Sequence, residues 1–301
     1  MSTITIVRPA GLAQWQADVL LLIVTLAAAA GWIFSKNTLT ELPPVGFIGI
    51  RFFLAGLCLG LFCYKEVLAL PARALGAGLI TGLVFGLAMM TWIQGLALSV
   101  HVGVSAFVVS LGVMFVPFFA WLIFKEPLVK SVILALPIAI AGLALLNLGS
   151  PQTEGWQWDG AHLVMLAAAS IFAFQFCLTA FLAKRIAPLP LTAMQLTVAG
   201  LVALLVSMAT ESLDVSVTAF GWSNLLAAAL IASSLRFFLQ TKALEFSSAS
   251  HAGMILLLEP VWVTLLGWVV FAQKLTFYQT IGCCLIFSAL VLQKVCQLKS
   301  V

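Results

Sequence analysis

The sequence predicts an all-α integral membrane protein with ten transmembrane helices, arranged as two inverted repeats of five helices each. Composition is the first observation, because 63% of the 301 residues are hydrophobic and only 8% are charged. A soluble domain of this size needs more charged side chains than that to cover its surface. The second observation is a series of ten apolar stretches, each close to the roughly 20 residues with which a helix crosses a bilayer. The third is a similarity between the two halves of the chain.

The ten predicted spans are joined by short segments, and several of these segments contain proline, which interrupts helices. The spans of the first half are 19–37, 45–64, 75–98, 103–124 and 130–148. The spans of the second half are 161–183, 190–210, 219–242, 250–272 and 277–295. The apolar run that begins at Val19 leads directly into the second span. We therefore interpret it as a membrane helix and not as a removed signal peptide.

The similarity between the halves appears at an offset of about 144 residues, where Arg51 corresponds to Gln195 and Gly56 to Gly200. Five spans per half is an odd number, so the second half must enter the bilayer in the opposite orientation. Inverted repeats of this kind build secondary transporters, whose substrate site lies between the repeats near the middle of the membrane. Transport is therefore the first functional hypothesis.

Basic residues predict the orientation of the chain. With the N-terminus in the cytoplasm, the inner loops and helix ends contain ten Lys and Arg residues, and the outer loops contain two. Basic residues concentrate on the cytoplasmic side of membrane proteins, so both termini are predicted to be cytoplasmic and 152–154 to face outward. We assign 1–149 to the first repeat and 150–301 to the second, in a multi-pass protein of the cell (inner or plasma) membrane.

Three short motifs follow one another along the chain. The second span contains Arg51-Phe52-Phe53-Leu54-Ala55, the fourth ends in Trp121-Leu122-Ile123-Phe124-Lys125-Glu126, and the ninth contains Leu258-Glu259-Pro260-Val261. In this order they resemble the R-F-x-x-A, W-L-x-x-x-E and L-E-P-V patterns of the drug/metabolite transporter superfamily, specifically its ten-helix EamA type. The resemblance implies ten helices in two inverted five-helix repeats and the export or exchange of small metabolites.

Six polar or aromatic side chains inside the spans are candidates for substrate binding: Arg51, Trp92, Gln175, Trp262, Trp32 and Gln195. Polar groups in the bilayer usually face the protein interior or a watery cavity. A cavity lined by aromatic rings and a few polar groups suits an amphiphilic metabolite, such as an amino acid or a related carboxylate. Structural roles remain open for all six, because Arg51 could instead bond backbone carbonyls at a helix break and the rings could serve packing.

Arg236 and Glu259 form a second candidate group. They lie at similar depth in adjacent antiparallel spans, so each is predicted to neutralise the charge of the other. Glu259 could titrate and couple transport to a proton, or the two residues could form a static structural ion pair. Both interpretations stay open at the level of sequence.

Other functional classes lack a supporting pattern. The three histidines are scattered, and we find no metal-ligand cluster, nucleophile motif or phosphate loop, so we expect no cofactor and no enzymatic activity. The net charge of +4 is spread over short loops and does not indicate nucleic-acid binding. The expected partners are a small-molecule substrate, the lipid bilayer and a possible proton, for a monomer or weak dimer. The alternatives to a carrier are an uncoupled channel or facilitator and an intramembrane enzyme.

Overall fold

The computed structural model describes residues 14–39, 41–98, 108–127, 130–148, 160–212, 217–271 and 276–298, which form helices and no strand. The helices of the first half are α1 (Gln14–Thr38), α2 (Pro44–Leu68), α3 (Ala72–Leu98), α4 (Gly112–Leu122) and α5 (Lys130–Leu148). Those of the second half are α6 (Gly160–Ala183), α7 (Pro188–Thr210), α8 (Ala219–Phe246), α9 (Ala249–Leu256, continued as Leu258–Phe271) and α10 (Phe277–Leu298). The fold class predicted from the sequence is therefore confirmed.

The described helices have the length and composition of membrane spans. Seven of them are long and apolar enough to cross a membrane, and the described parts of α4, α5 and α10 are shorter apolar helices. Large apolar side chains such as Phe62, Leu134 and Val291 are exposed on the outside of the bundle, where lipid would cover them. The predicted start of the fourth span, at 103, and the predicted outer segment 152–154 lie outside the described residues.

Each helix of the first repeat packs mainly against helices of the second. Helix α2 packs along α7, and α5 packs along α10. Helix α3 packs along α6, and its counterpart in the second repeat, α8, packs along α1. Helix α4 lies against α6, and its counterpart α9 lies against α1. Each helix of the first repeat corresponds to the helix five places later in the second repeat, so that α1 corresponds to α6 and α2 to α7. When corresponding helices are exchanged, the set of packed pairs stays the same. The contacts therefore have the two-fold relation of an inverted repeat.

The closest approach of the two repeats requires glycine at two corresponding positions. A Cβ atom at Gly56 of α2 would overlap the backbone of Thr197 in α7, and one at Gly200 of α7 would overlap the backbone of Phe53 in α2. Small residues let membrane helices approach in this way. The sequence similarity at Gly56 and Gly200 thus marks the place where the backbones of α2 and α7 touch.

Helices α8 and α9 depart from regular α-helical geometry in a way that the sequence analysis did not predict. Within α8, Leu230–Leu235 form a π-helix. Helix α9 is interrupted at Leu257, three residues before Pro260. Proline lacks a backbone N–H, and its ring clashes with the carbonyl four residues earlier, which explains the interruption. Such irregular turns inside helices occur frequently at functional sites.

Candidate functional site

Arg51 of α2 connects three helices. Its Nε donates to Ser233 Oγ at 2.7 Å, its Nη1 to Ser35 Oγ at 3.0 Å and its Nη2 to the carbonyl of Ala232 at 3.2 Å. The π-helical segment of α8 supplies two of these acceptors, and α1 supplies the third. The guanidinium also lies 5.4 Å from the ring centre of Phe52. Every nitrogen of this side chain thus donates at least one hydrogen bond to the protein.

The second repeat contains a polar contact that corresponds to the one between Arg51 and Ser35. Thr179 Oγ1 in α6 donates to Gln195 Oε1 in α7 at 3.3 Å, and these two residues are 16 positions apart, as Ser35 and Arg51 are. Gln175 Nε2 extends this group by donating to Thr179 Oγ1 at 2.8 Å. All three side chains of the second repeat are buried. The structure therefore brings the predicted residues Gln175 and Gln195 together through Thr179.

Four phenylalanine rings connect helices of both repeats at the core of the bundle. Phe52, Phe85 and Phe237 contact one another edge to face, with ring centres 5.2 to 6.0 Å apart. Phe172 of α6 contacts Phe85 at 6.4 Å. We call these four residues the aromatic cluster. Arg51 lies over one end of it, at Phe52, so charged and apolar surfaces adjoin here.

The predicted pairing of Arg236 and Glu259 has a direct counterpart in the structure. Arg236 Nη2 lies 3.2 Å from Glu259 Oε2, and the two side chains are 18% and 24% exposed. The guanidinium lies 4.6 Å from the ring centre of Phe237, which belongs to the aromatic cluster. Its Nε is buried and has no hydrogen-bond partner within the described residues. A buried donor without an acceptor is costly, so this nitrogen offers a place for an anionic group.

The three predicted tryptophans differ in their surroundings. Trp262 Nε1 donates to Thr25 Oγ1 of α1 at 3.0 Å, one helical turn beyond Glu259. Trp92 is half-buried and packs between the aromatic cluster and Met165. The side chain of Trp32 lies outside what the structure describes, although its backbone belongs to α1. Trp262 thus lies beside the ion pair, and Trp92 lies at the edge of the aromatic cluster.

Two carboxylates that the sequence analysis did not select hold the repeats together at the end of the bundle where α1 ends and α2 begins. Glu211 accepts from the backbone N–H groups of Val45 and Gly46 at 3.0 and 2.8 Å. Glu41 accepts from the backbone N–H of Thr218 at 2.7 Å. In both cases a carboxylate of one repeat lies at the N-terminus of a helix of the other, where the helix dipole favours negative charge. In the sequence, the one indication of these two contacts is that each acid lies just outside an apolar span.

The other end of the bundle contains further contacts that the sequence analysis did not identify. Glu126 of the first repeat accepts from Lys184 Nζ at 2.7 Å and from the backbone N–H of Ala249 at 3.3 Å. His251 of α9 contacts Asp18 of α1 at 2.8 Å. The first span was predicted to begin at 19, where the apolar run begins. The helix begins earlier, at Gln14, and therefore includes Asp18. Contacts between the repeats therefore close both ends.

The part of the chain that the structure describes contains no group of three His, Cys, Asp or Glu side chains that could hold a metal ion. The six cysteines are free thiols distributed over α2, α6 and α10. Metal sites in proteins need several such ligands close together. The candidate site consists of the two arginines, Glu259, the buried amides and the aromatic rings around them.

Comparison with known proteins gives one family for both halves of the chain. The EamA-like transporter family matches 15–148 and again 160–293. Protein PecM from Dickeya dadantii (strain 3937) is 30% identical over 249 residues, which cover 76% of this chain and 82% of PecM. A solved crystal structure shares the fold with a TM-score of 0.81 at 17% sequence identity, over 94% of this chain and 98% of that chain. These matches extend over both repeats.

Proposed function

Because the chain belongs to the EamA-like transporter family, we propose that it exports or exchanges a small amphiphilic carboxylate, such as an amino acid, by alternating access. The buried Nε of Arg236, beside Glu259 and the aromatic cluster, is the observation that supports this substrate class. Transporters of this superfamily are multi-pass membrane proteins. We place this one in the cell (inner or plasma) membrane with both termini in the cytoplasm, following its basic residues.

The ion pair between Arg236 and Glu259 suits a substrate that has both charges. The carboxylate of an amino acid would accept hydrogen bonds from Arg236, including one from the buried Nε, and its ammonium would face Glu259. A zwitterion inserted between the two residues leaves each buried charge with an opposite charge beside it, which limits the desolvation penalty. The ring of Phe237 and the indole of Trp262 would cover an apolar side chain.

Arg51 has a different role in this proposal. Its three nitrogens already donate to Ser233, Ser35 and Ala232, so a substrate would have to break these bonds in order to use them. We therefore propose that Arg51 positions α1 against the π-helical segment of α8, which leads into Arg236. Gln195 would have the corresponding role in the second repeat. Trp92, Trp32 and Gln175 remain proposed contacts for the part of the substrate that enters the aromatic cluster.

Alternating access follows from the inverted repeats. Such folds expose one central site first to one side of the membrane and then to the other, as one set of helices moves against the other set. At one end the contacts of Glu41 and Glu211 would have to open, and at the other end those of Glu126 and His251. A channel would open both ends at once, and an intramembrane enzyme would need reacting groups at the centre.

Counterflow in proteoliposomes tests this proposal. Vesicles are loaded with unlabelled L-phenylalanine, which matches the aromatic cluster, and uptake of labelled L-phenylalanine, L-leucine and L-glutamate is measured from outside. A carrier with this site should show saturable uptake that internal amino acid accelerates. Glu259→Gln should abolish the acceleration, whereas the matched outer-loop change Glu154→Gln should preserve it. Uptake that rises linearly with concentration, without acceleration, would favour the channel and contradict the proposal.

A further inference from the structure

Three helices meet around a buried histidine at the end of the bundle where α1 begins and α10 ends. His251 of α9 is 6% exposed. Its Nε2 lies 2.8 Å from Asp18 Oδ1 of α1, and its Nδ1 lies 3.0 Å from Gln293 Nε2 of α10. Asp18 belongs to the first repeat, and the other two residues belong to the second. The imidazole ring therefore joins the repeats at this end.

The partners of the ring determine where its protons are. An ionised carboxylate only accepts hydrogen bonds, so His251 Nε2 must carry a hydrogen that it donates to Asp18. Where the amide nitrogen of Gln293 donates, Nδ1 accepts and carries no hydrogen. Rotation of the Gln293 amide by half a turn would bring its Oε1 to the same position, as an acceptor for a hydrogen on Nδ1. The ring can therefore bind one additional proton while both of its nitrogens keep a hydrogen-bond partner.

We propose that Asp18, His251 and Gln293 form a proton-binding site that closes this end of the transporter. A proton from water bonds to Nδ1, and the imidazolium is held between the Asp18 carboxylate and the Gln293 carbonyl oxygen. Opening this end separates α1 from α9 and removes the ring from the carboxylate, so the bound proton favours the closed state and its release favours opening. The proposal rests on the alternating access proposed above, but it concerns a site other than Arg236 and Glu259.

The charged side chains that the structure describes around His251 have other partners or lie at the surface. Glu126 pairs with Lys184 at 2.7 Å, and on α8 Lys242 pairs with Glu245 at 2.8 Å. Lys125 donates to a backbone carbonyl, and Lys130 at the start of α5 is exposed. Further along α9, Glu259 pairs with Arg236, and the side chain of Lys294 on α10 lies outside the description. Asp18 is the carboxylate in direct contact with the ring.

A distance measurement across this end tests the proposal without a substrate. Spin labels are attached at Trp15→Cys in α1 and Val295→Cys in α10, two exposed positions, in the full chain without its native cysteines and in lipid nanodiscs. Distances are measured by electron–electron double resonance from about pH 5.5 to about pH 8.5, the range in which histidine titrates. We expect the ratio of short to long distances to fall on the order of fivefold as the pH rises.

Variants identify the titrating group. His251→Gln should make the distance distribution independent of pH, whereas His162→Gln, the same change in a buried histidine of α6, should preserve the response. Gln293→Glu places a carboxylate beside Nδ1 and should move the midpoint of the response to higher pH. This third variant retains the histidine, so it remains informative if His251→Gln does not fold.

Two results would overturn the proposal. The first is a wild-type distance distribution that does not change with pH, and the second is an unchanged midpoint in Gln293→Glu. A pH response that persists in a folded His251→Gln protein would overturn it as well. None of these results affects counterflow of amino acids, so failure of the proton site and failure of the proposed function can be distinguished.

Discussion

Removal of one partner from the Arg236–Glu259 pair should destabilise the protein more than removal of both. Glu259→Gln leaves the guanidinium of Arg236 without its carboxylate, and Arg236→Met leaves the carboxylate without its counter-charge. Arg236→Met combined with Glu259→Met replaces two charges by apolar groups of similar length. The two side chains come from α8 and α9, so the contact holds together adjacent helices of the second repeat.

The structure sets the expected magnitude. Loss of one member of a buried ion pair typically costs about 3 to 5 kcal/mol, whereas replacement of both members by apolar residues is often neutral or stabilising. Because the side chains are 18% and 24% exposed, we expect the lower end, about 3 kcal/mol, for each single change. The double change should recover about 2 kcal/mol or more of that loss.

The assay is the free energy of unfolding in mixed micelles, measured by titration with a denaturing detergent, together with the yield of monodisperse protein. Glu245→Gln is the matched control, because Lys242 and Glu245 pair three residues apart within α8 and join no two helices. Its effect should stay below about 1 kcal/mol, as for other ion pairs between neighbouring turns of one helix. If the double variant loses the sum of both single losses, Arg236 and Glu259 do not stabilise the protein as partners, and the reasoning is refuted.

Three further predictions test other parts of the account. Gly200→Ala should lower the free energy of unfolding by about 1 to 3 kcal/mol, since the added methyl group meets the backbone of Phe53. Gly60→Ala, whose methyl group would lie in open space on α2, should leave the free energy of unfolding unchanged. Equal effects of the two changes would contradict the close approach of α2 and α7. Arg51→Lys should lower the free energy of unfolding by about 2 kcal/mol, because a point charge cannot reach three acceptors in different directions, and wild-type stability would refute the positioning role. In intact cells, Gln152→Cys should react with an impermeant thiol reagent applied from outside, and labelling only after lysis would reverse the proposed orientation.

Much of the architecture could be predicted because it depends on patterns within short stretches of the chain. Apolar runs predict spans, and the similarity at Gly56 and Gly200 predicts two related repeats. Neither prediction requires knowledge of contacts between distant residues. The depth of Arg236 and Glu259 in adjacent spans was also readable, because the loop between α8 and α9 is short. For these two residues, the number of positions from the loop gives their depth in the bundle directly.

The features that escaped prediction depend on contacts between distant parts of the chain. The π-helical segment Leu230–Leu235 contains no glycine or proline, and it is held by Arg51 and by the bond from Ser234 to the carbonyl of Ala55. Asp18 lies in a polar stretch that does not resemble a membrane span, and its partner is 233 residues away. A repeat alignment of hydroxyl groups would have linked Ser35 with Thr179, but neither residue stands out alone.

A reversible tether across one end of the bundle tests whether the protein works by alternating access. Asn37 Nδ2 of α1 donates to Asn224 Oδ1 of α8 at 3.1 Å, at the end of the bundle where α1 ends and α2 begins. Asn37→Cys and Asn224→Cys are joined by a short bifunctional thiol reagent in a background without native cysteines, and amino acid counterflow is measured before and after cleavage of the tether. The account predicts that the tether stops counterflow and that its cleavage restores it, while each single cysteine treated in the same way retains activity. Counterflow that continues at its full rate with the tether formed would contradict alternating access between the two repeats.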